Sequence, residues 1–223
     1  MTSPGWVEQW LSTPRHATYL RQAGGDPQRA LALYEWNTQL NAAFLHDFCH
    51  LEVGLRNVFD RALQAAVVPN DTHWTNEHTV TAVLLRQSGN ADHRTANDIR
   101  EARRRASGKT ANSVPDRVVG GKVIAELSFG FWPYLLTNAR RNTLWVPYLQ
   151  SAFPPRTDRD QLHMGLVDLA RARNRVAHHE PLRRNQIVPL QRKISRYANY
   201  VSLELRDYIA HASTIDQLRA SRP

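Results

Sequence analysis

Cysteine and long apolar runs are what this sequence most clearly lacks. Its single cysteine, Cys49, has no partner with which to form a disulfide within the chain. No stretch approaches 18 consecutive apolar residues, and the first residues lack the basic segment and apolar run of a signal peptide. These absences argue against a disulfide-rich secreted domain and a membrane-spanning protein. We therefore expect a cytoplasmic protein with no membrane partner.

Lysine is scarce as well, although the chain is strongly basic. The 223 residues include 29 lysines and arginines against 20 aspartates and glutamates, a net charge of +9. Only three of those 29 are lysines, which leaves 26 arginines. A field of this sign attracts polyanions, and the planar guanidinium binds phosphate through two parallel hydrogen bonds. The composition favours a nucleic-acid partner, although a GC-rich genome also enriches arginine.

Strand-like alternation of β-branched residues is also missing, whereas apolar residues recur at three- and four-residue steps along most of the chain. From position 27 to about 67 this spacing predicts one long helix, or two in line with a kink near Gly54. Asp26 is the expected N-cap of that helix, with Pro27 at its first position. The predicted fold class is all-α, a helical bundle with no significant sheet.

Breaks in the helical pattern suggest the domain organisation. The Gly-Gly-Asp-Pro sequence at 24–27 separates a helical extension, residues 1–25, from a helical domain over residues 26–211. The last helix of that domain is predicted over residues 187–211. We expect residues 212–223 to form a flexible tail.

Two short motifs suggest ligand sites but lack parts that such sites need. His46, Cys49 and His50 share a helix face at spacings of three and four, without a fourth metal ligand beside them. The Gly-Lys-Thr at 108–110 lacks the earlier glycine of a phosphate-binding loop, whose place Arg103 takes. We therefore predict no metal and no cofactor.

Polar and cationic residues concentrate in the segment RARNRVAHHEPL, residues 171–182. The apolar pattern before it predicts a helix that enters this segment and ends at or before Pro181. Asn174 and His178 are four residues apart and share a helix face. Arg173 and His178 are five apart, about 140° around a regular helix. They converge on one phosphate only if the helix unwinds before its proline or if a second copy of the chain completes the site.

These residue types suit the cleavage of RNA by its own 2′-hydroxyl, a reaction that needs no metal. The reaction needs a base for the 2′ proton, an acid for the leaving 5′ oxygen and positive charge on the transition state. Histidine titrates near neutral pH and serves as either base or acid, and arginine stays charged and fits a phosphate. DNA lacks the 2′-hydroxyl and would not be cleaved. A solvated cap at a helix C-terminus explains the same cluster without any activity.

The segment RNRVAHHEPL resembles the Arg-x4-6-His signature of the HEPN superfamily, specifically its Abi-like branch, which is linked to abortive infection by phage. In this resemblance Arg173 stands for the motif arginine, Asn174 for the polar residue beside it and His178 for the motif histidine. Arg173 and His178 would then be the main catalytic pair, with Asn174 and His179 assisting. The adjacent His179 leaves open which histidine is essential.

Two further segments resemble the same branch and occur in the same order. Residues 32–57 are similar to its N-terminal helix, with Glu52, Arg56 and Asn57 in a Leu-Glu-x-x-Leu-Arg-Asn signature. Residues 126–136, ELSFGFWPYLL, resemble its mid-chain turn. Glu52, Arg56 and Asn57 are predicted to support the motif helix, and an ordinary surface pair is the alternative for the first two.

The resemblance implies an HEPN-like helical bundle with extra helices, usually a homodimer in which the motifs of both protomers face one cleft. It also implies metal-independent RNA cleavage that leaves a cyclic phosphate and a 5′-hydroxyl, in a toxin that an antitoxin protein restrains or an anti-phage effector that phage infection triggers. Some members have lost activity, so an inactive RNA- or protein-binding module is an alternative function, as is the neutralising partner of a toxin pair. Four arginines are expected to be exposed and to hold the RNA backbone: Arg103, Arg104, Arg105 and Arg175.

Overall fold

The computed structural model of the chain describes residues 5–67, 73–76, 93–108 and 119–223. These residues form helices and no strand, so the predicted all-α fold class is confirmed. Within the same residues, no helix is both long and apolar enough to cross a bilayer. The α-helices in chain order are α1 (Gly5–Leu11), α2 (Thr13–Gln22), α3 (Pro27–Ala65), α4 (His93–Ser107), α5 (Gly120–Glu126), α6 (Phe131–Tyr134), α7 (Arg159–Ala177), α8 (Arg184–Val201), α9 (Leu203–Ala212) and α10 (Ile215–Ala220).

Between α6 and α7 the chain forms a wide helical segment. Its π-helical part, Arg141–Leu149, lies between two short 3₁₀ turns, Asn138–Arg140 and Gln150–Ala152. The helix α7 then begins after Asp158, whose carboxylate accepts a hydrogen bond from the backbone N–H three residues on (2.9 Å). Asp158 is thus the N-cap of α7.

The longest element, α3, begins where the sequence predicts. The Asp26 carboxylate accepts hydrogen bonds from the backbone N–H groups two and three residues later, at 2.9 and 3.3 Å. Pro27 follows at the first helical position, where no N–H is needed. The helix continues unbroken through Gly54, whose missing side chain leaves room for Leu205 of α9. A Cβ at Gly54 would lie 2.5 Å from the Leu205 Cδ2.

The core is built around α3. Helices α2, α7, α8, α9 and α10 all contact it, and α7 also packs against α8. Leu40, Phe44, Leu51 and Leu55 recur along α3 at helical spacing and are completely buried. Truncating one of them to alanine costs about 2–5 kcal/mol, because the surrounding helices only partly fill the cavity. The long helix therefore fixes the position of α7, whose C-terminal end carries the Arg-x4-6-His segment.

The helix predicted over residues 187–211 is two helices, so this prediction is wrong in one respect. Ser202 has extended backbone angles (φ −168°, ψ 160°) and separates α8 from α9. Its hydroxyl accepts a hydrogen bond from the Leu205 N–H at 3.1 Å. A serine that caps a new helix in this way offers the chain an alternative to continuing the old one.

Residues 212–223 do not form the flexible tail that was predicted. Ile215 of α10 is completely buried, and the Trp36 indole Nε1 donates a hydrogen bond to the Leu218 carbonyl at 2.7 Å. The Arg222 guanidinium lies over the Trp36 ring, 5.4 Å from its centroid. Apolar burial against α3 thus orders a segment whose polar composition suggested disorder.

Candidate nucleic-acid site

The segment singled out in the sequence ends α7 with a defined hydrogen-bond pattern. The His179 N–H donates to the Val176 carbonyl (3.0 Å), and the Glu180 N–H donates to the Arg175 carbonyl five residues back (3.0 Å). These two bonds form a Schellman motif, in which the residue after the helix cap turns into the left-handed region. That residue is His179, with a φ of 54°.

A left-handed backbone is uncommon for a residue that carries a side chain, and glycine is the usual occupant of this position. The conformation costs an L-residue about 1–2 kcal/mol. Strained backbone of this kind is concentrated at functional sites. The two adjacent histidines therefore differ, because His178 caps the helix at an ordinary φ of −88° while His179 is strained.

The chain beyond the helix end is anchored to α3 by two asparagines, Asn37 and Asn41, which are 2% and 0% exposed. Their side-chain amides donate to the Glu180 carbonyl at 3.5 and 3.3 Å. The Asn37 Oδ1 accepts a hydrogen bond from the buried Leu182 N–H at 2.9 Å. These contacts satisfy polar backbone groups that would otherwise be buried without partners.

A third contact comes from the N-terminal extension. The Arg15 Nη2 of α2 donates to the His178 carbonyl at 3.4 Å. Sequence reasoning missed Arg15, Asn37 and Asn41. The two asparagines did leave a signal, because they lie four residues apart on the apolar stripe of α3, where a polar side chain needs a buried partner. Arg15 left no signal in the sequence, because its contact depends on how α2 folds back.

The side chains of His178, His179 and Asn174 are all exposed at this end of α7. Within the described ranges, neither imidazole has a hydrogen-bond or ion-pair partner. Both imidazoles are therefore accessible to a substrate, and an accessible imidazole can act as an acid or a base.

The motif arginine is paired with the long helix. The Arg173 Nε lies 3.6 Å from the Glu52 Oε2, with side-chain exposures of 38% and 19%. Burial raises the pKa of the Glu52 carboxyl, and the guanidiniums of Arg173 and Arg56 partly oppose that rise. The pair lies where water screens it less than on an open surface. Glu52 thus contacts the motif helix directly. An ordinary surface pair between Glu52 and Arg56 would not include this contact.

The other two residues of the α3 signature, Arg56 and Asn57, have no hydrogen bond or ion pair with the motif residues within the described ranges. Arg56 is half-buried, and its Nε has no hydrogen-bond partner among the described residues. Asn57 is also half-buried, and no hydrogen bond joins its side chain to the described part of the motif. Of the three signature residues, Glu52 is the one that the structure joins to Arg173.

The geometry within one chain keeps Arg173 and His178 apart. The backbone is helical from Arg173 through Ala177, and the helix ends only at His178. The angle between the two positions therefore stays near the 140° of a regular helix. Unwinding before Pro181, the first of the two ways in which the pair was expected to converge, does not take place ahead of His178.

The arginines predicted to hold RNA are placed differently from one another. Arg103 is 8% exposed and donates to the Thr75 carbonyl at 3.4 Å, so the expectation that it is exposed is wrong. Arg104 and Arg105 both pair with Glu101 on α4. Arg175 beside the motif pairs with Glu180, with 3.0 Å between Nε and Oε2. Arg103 lies four residues after the buried Ile99 and next to the buried Ala102, so it falls on the inward face of α4.

The mid-chain segment that completes the resemblance also contacts α7. The helix α6 packs against α7, and the His163 Nδ1 lies 2.8 Å from the Pro133 carbonyl oxygen. The three segments that resemble the Abi-like branch therefore meet on one helix: α3 and α6 both contact α7.

No protein-family model matches this sequence, and neither a curated protein nor a solved structure is significantly similar to it. Among the described residues, no group of three or more His, Cys, Asp or Glu side chains is arranged to hold a metal ion.

Proposed function

We propose that this protein is an endoribonuclease of the HEPN Abi-like type, which cleaves RNA without a metal ion and acts as a toxin or abortive-infection effector. The observation that carries the proposal is the ion pair between Arg173 and Glu52. It joins the two segments that resemble the branch independently of each other, at a helix end that also presents two exposed imidazoles.

The residues suit distinct roles in such a reaction. The guanidinium of Arg173, held by Glu52, would contact the non-bridging oxygens of the scissile phosphate and stabilise their charge in the transition state. One imidazole would take the proton of the 2′-hydroxyl, and another would give a proton to the leaving 5′ oxygen. His178 is the main candidate, with His179 and Asn174 beside it. The 2′ oxygen bonds to phosphorus as the 5′ oxygen leaves, which yields a cyclic phosphate and a 5′-hydroxyl.

A homodimer fits this proposal, because Arg173 and His178 of one chain point about 140° apart. A two-fold axis near the end of α7 would bring the arginine of one protomer towards the histidine of its partner. In the same proposal, RNA is the substrate and an antitoxin protein is the expected restraint in the cytoplasm.

The test is cleavage of a 5′-labelled RNA in excess chelator by the wild type, Arg173→Ala and His178→Ala. Arg171→Ala is the matched control, because Arg171 is exposed on the same helix and outside the motif. We expect the wild type and the control to cleave alike, with cyclic phosphate ends. The two motif variants should be slower by about 10²-fold or more. A substrate with one 2′-deoxy nucleotide at the cleaved position should resist cleavage there.

Equal cleavage by the wild type and the Arg173→Ala, His178→Ala double variant would assign the activity to a contaminant and refute the proposal. Intact RNA that is nevertheless bound, with an affinity that falls steeply with salt, would instead indicate the inactive binding module.

A further inference from the structure

The helix α8 is a cationic ridge without any acidic residue. Its basic side chains include Arg192 and Arg196, which are four residues apart and exposed. Within the described ranges, neither has a hydrogen-bond or ion-pair partner. Two like charges at this spacing repel each other and destabilise a helix by a few tenths of a kcal/mol. An anion bound between them would remove that repulsion.

Beside this ridge lies a cavity of about 540 Å³, between α8, α9 and α10. Arg192 and Arg196 line one wall, and Arg206 of α9 and Arg219 of α10 line the others. Four arginines from three helices thus converge on one concave surface, in the size range of small-molecule sites. Arg206 pairs with Asp207 (2.7 Å) and Arg219 pairs with Asp216 (3.1 Å), so Arg192 and Arg196 are the pair whose guanidiniums match phosphate oxygens here.

The acidic residues of the cavity are already engaged by other groups. Asp216 forms an ion pair with Arg219 (3.1 Å) and accepts a hydrogen bond from the Gln191 amide (3.3 Å). Asp47 at the base accepts from the Ser213 hydroxyl at 2.8 Å and lies 3.1 Å from the His46 Nδ1. Neither carboxylate neutralises Arg192 or Arg196, so the cavity keeps unpaired positive charge on its α8 wall.

The lining also contains the apolar side chains of Ile194, Ile209 and Ala210. A flat, partly apolar group would pack there, while an attached phosphate would reach the arginines. A nucleotide has both a flat, partly apolar base and a phosphate, whereas an inorganic anion has only the charged group.

We propose that the cavity between α8, α9 and α10 is a nucleotide-binding site that holds a phosphate between Arg192 and Arg196. The nucleotide is either free or part of an RNA strand, and the chemistry is the same in both cases. The proposal does not require that the protein cleaves RNA.

The cavity is separate from the Arg-x4-6-His segment but connected to it along α8. Arg192 and Arg196 also line a groove between α7 and α8, next to Lys193. Lys193 in turn lines a second groove, which reaches Arg175 within the motif. In that groove Lys193 pairs with Asp168 at 2.8 Å, and Arg175 pairs with Glu180. An RNA strand held in the cavity would therefore have continuous grooves to follow towards the end of α7.

The experiment measures binding in a His178→Ala background with chelator, so that RNA stays intact. A labelled single-stranded 12-nucleotide RNA is followed by fluorescence anisotropy, and AMP by calorimetry. The charge variant is Arg192→Gln/Arg196→Gln. The control Arg29→Gln/Arg156→Gln removes the same charge from exposed positions outside the cavity. A third variant, Ala210→Trp, fills the cavity without changing its charge, and circular dichroism checks that each variant is folded.

We expect the charge variant to lose about tenfold or more in affinity for the RNA. The slope of log affinity against log salt concentration should become shallower by about two. The affinity of the control should stay within about twofold of the wild type. Ala210→Trp should also weaken binding, by a similar factor and with the salt slope unchanged. Binding of AMP would identify free nucleotides as a source, and binding of the 12-mer alone would identify the strand; both outcomes support the site.

Equal losses in the charge variant and its control, no loss in Ala210→Trp, or no binding of either probe would each overturn the inference. Cleavage by the protein with His178 intact is measured separately. If the protein with His178 intact binds RNA in the cavity but does not cleave it, the proposed nuclease is refuted and the nucleotide site is kept. If it cleaves RNA but the cavity variants bind as the wild type does, the nucleotide site is refuted and the nuclease is kept.

Discussion

Replacing His179 by glycine tests the strain at the end of α7. The substitution removes the side chain that makes a φ of 54° unfavourable. It also gives the unfolded chain more freedom, which costs stability. Relief of about 1–2 kcal/mol minus an entropic cost of about 0.5–1 kcal/mol leaves a gain of about 0–1.5 kcal/mol, with a midpoint of about 0.75 kcal/mol. For a chain of this size, a gain at that midpoint raises the Tm by about 1.5–3 °C.

The neighbouring histidine provides the matched control. His178 has a φ of −88°, so His178→Gly relieves no strain and should lower stability by about 0.5–1 kcal/mol. His179→Ala keeps a Cβ in the left-handed region and should not raise the Tm. Thermal unfolding followed by circular dichroism measures all three variants in the same buffer.

Shifts of the same sign for His179→Gly and His178→Gly would refute the argument, because only one of the two positions is strained. If His179→Gly is more stable than the wild type and cleaves RNA at the same rate, then His179 only terminates the helix and takes no part in catalysis. A stabilised but slow variant would show that the strained histidine is retained for activity.

Three further predictions concern the same region. Burial raises the pKa of the Glu52 carboxyl above its ordinary 4.5. The stability that this shift adds to the folded state is therefore fully present below about pH 4.5, and it is lost as the pH rises through the folded-state pKa. Denaturant titrations should therefore show that the free energy of unfolding falls less for Glu52→Gln than for the wild type between pH 4.5 and 7. An equal fall in the two proteins would contradict this. Asn37→Ala leaves the buried Leu182 N–H without its acceptor and should cost about 1–3 kcal/mol, with faster amide exchange at Leu182; unchanged exchange there would count against the anchoring role. If the site combines Arg173 of one protomer with His178 of its partner, mixing Arg173→Ala and His178→Ala proteins should restore about a quarter of wild-type cleavage, whereas sites within one chain would give none.

Local sequence signals predicted the elements that carry the site. The apolar spacing and the Asp26 cap located α3, and the apolar pattern before residue 171 located α7. The same kind of signal missed the break at Ser202, because a serine inside a helical pattern either continues the helix or caps a new one. Its outcome depends on packing against α3, which a local pattern does not contain.

The sequence predicted the central residues of the candidate site, but it predicted neither Arg15, Asn37 and Asn41 nor the contacts that these residues make. Arg173, His178 and His179 were evident from composition and spacing, and the pairing of Arg173 with Glu52 spans more than a hundred residues of chain. The inward turn of Arg103 and the left-handed backbone of His179 each follow from contacts that only the folded chain makes. A pattern of residue types therefore identified the cluster and left its geometry open.

The contact between Trp36 and Leu218 joins positions 182 residues apart. A ribosome makes the first half of α3 early, but the helix that covers Trp36 emerges only after nearly all the intervening chain has been synthesised. During that interval the indole and its neighbours stay open to water or to a chaperone, since long-range contacts form late and exposed apolar surface is prone to aggregate. We therefore expect nascent chains stalled before residue 215 to be protease-sensitive around Trp36, and released chains that contain α10 to be protected there.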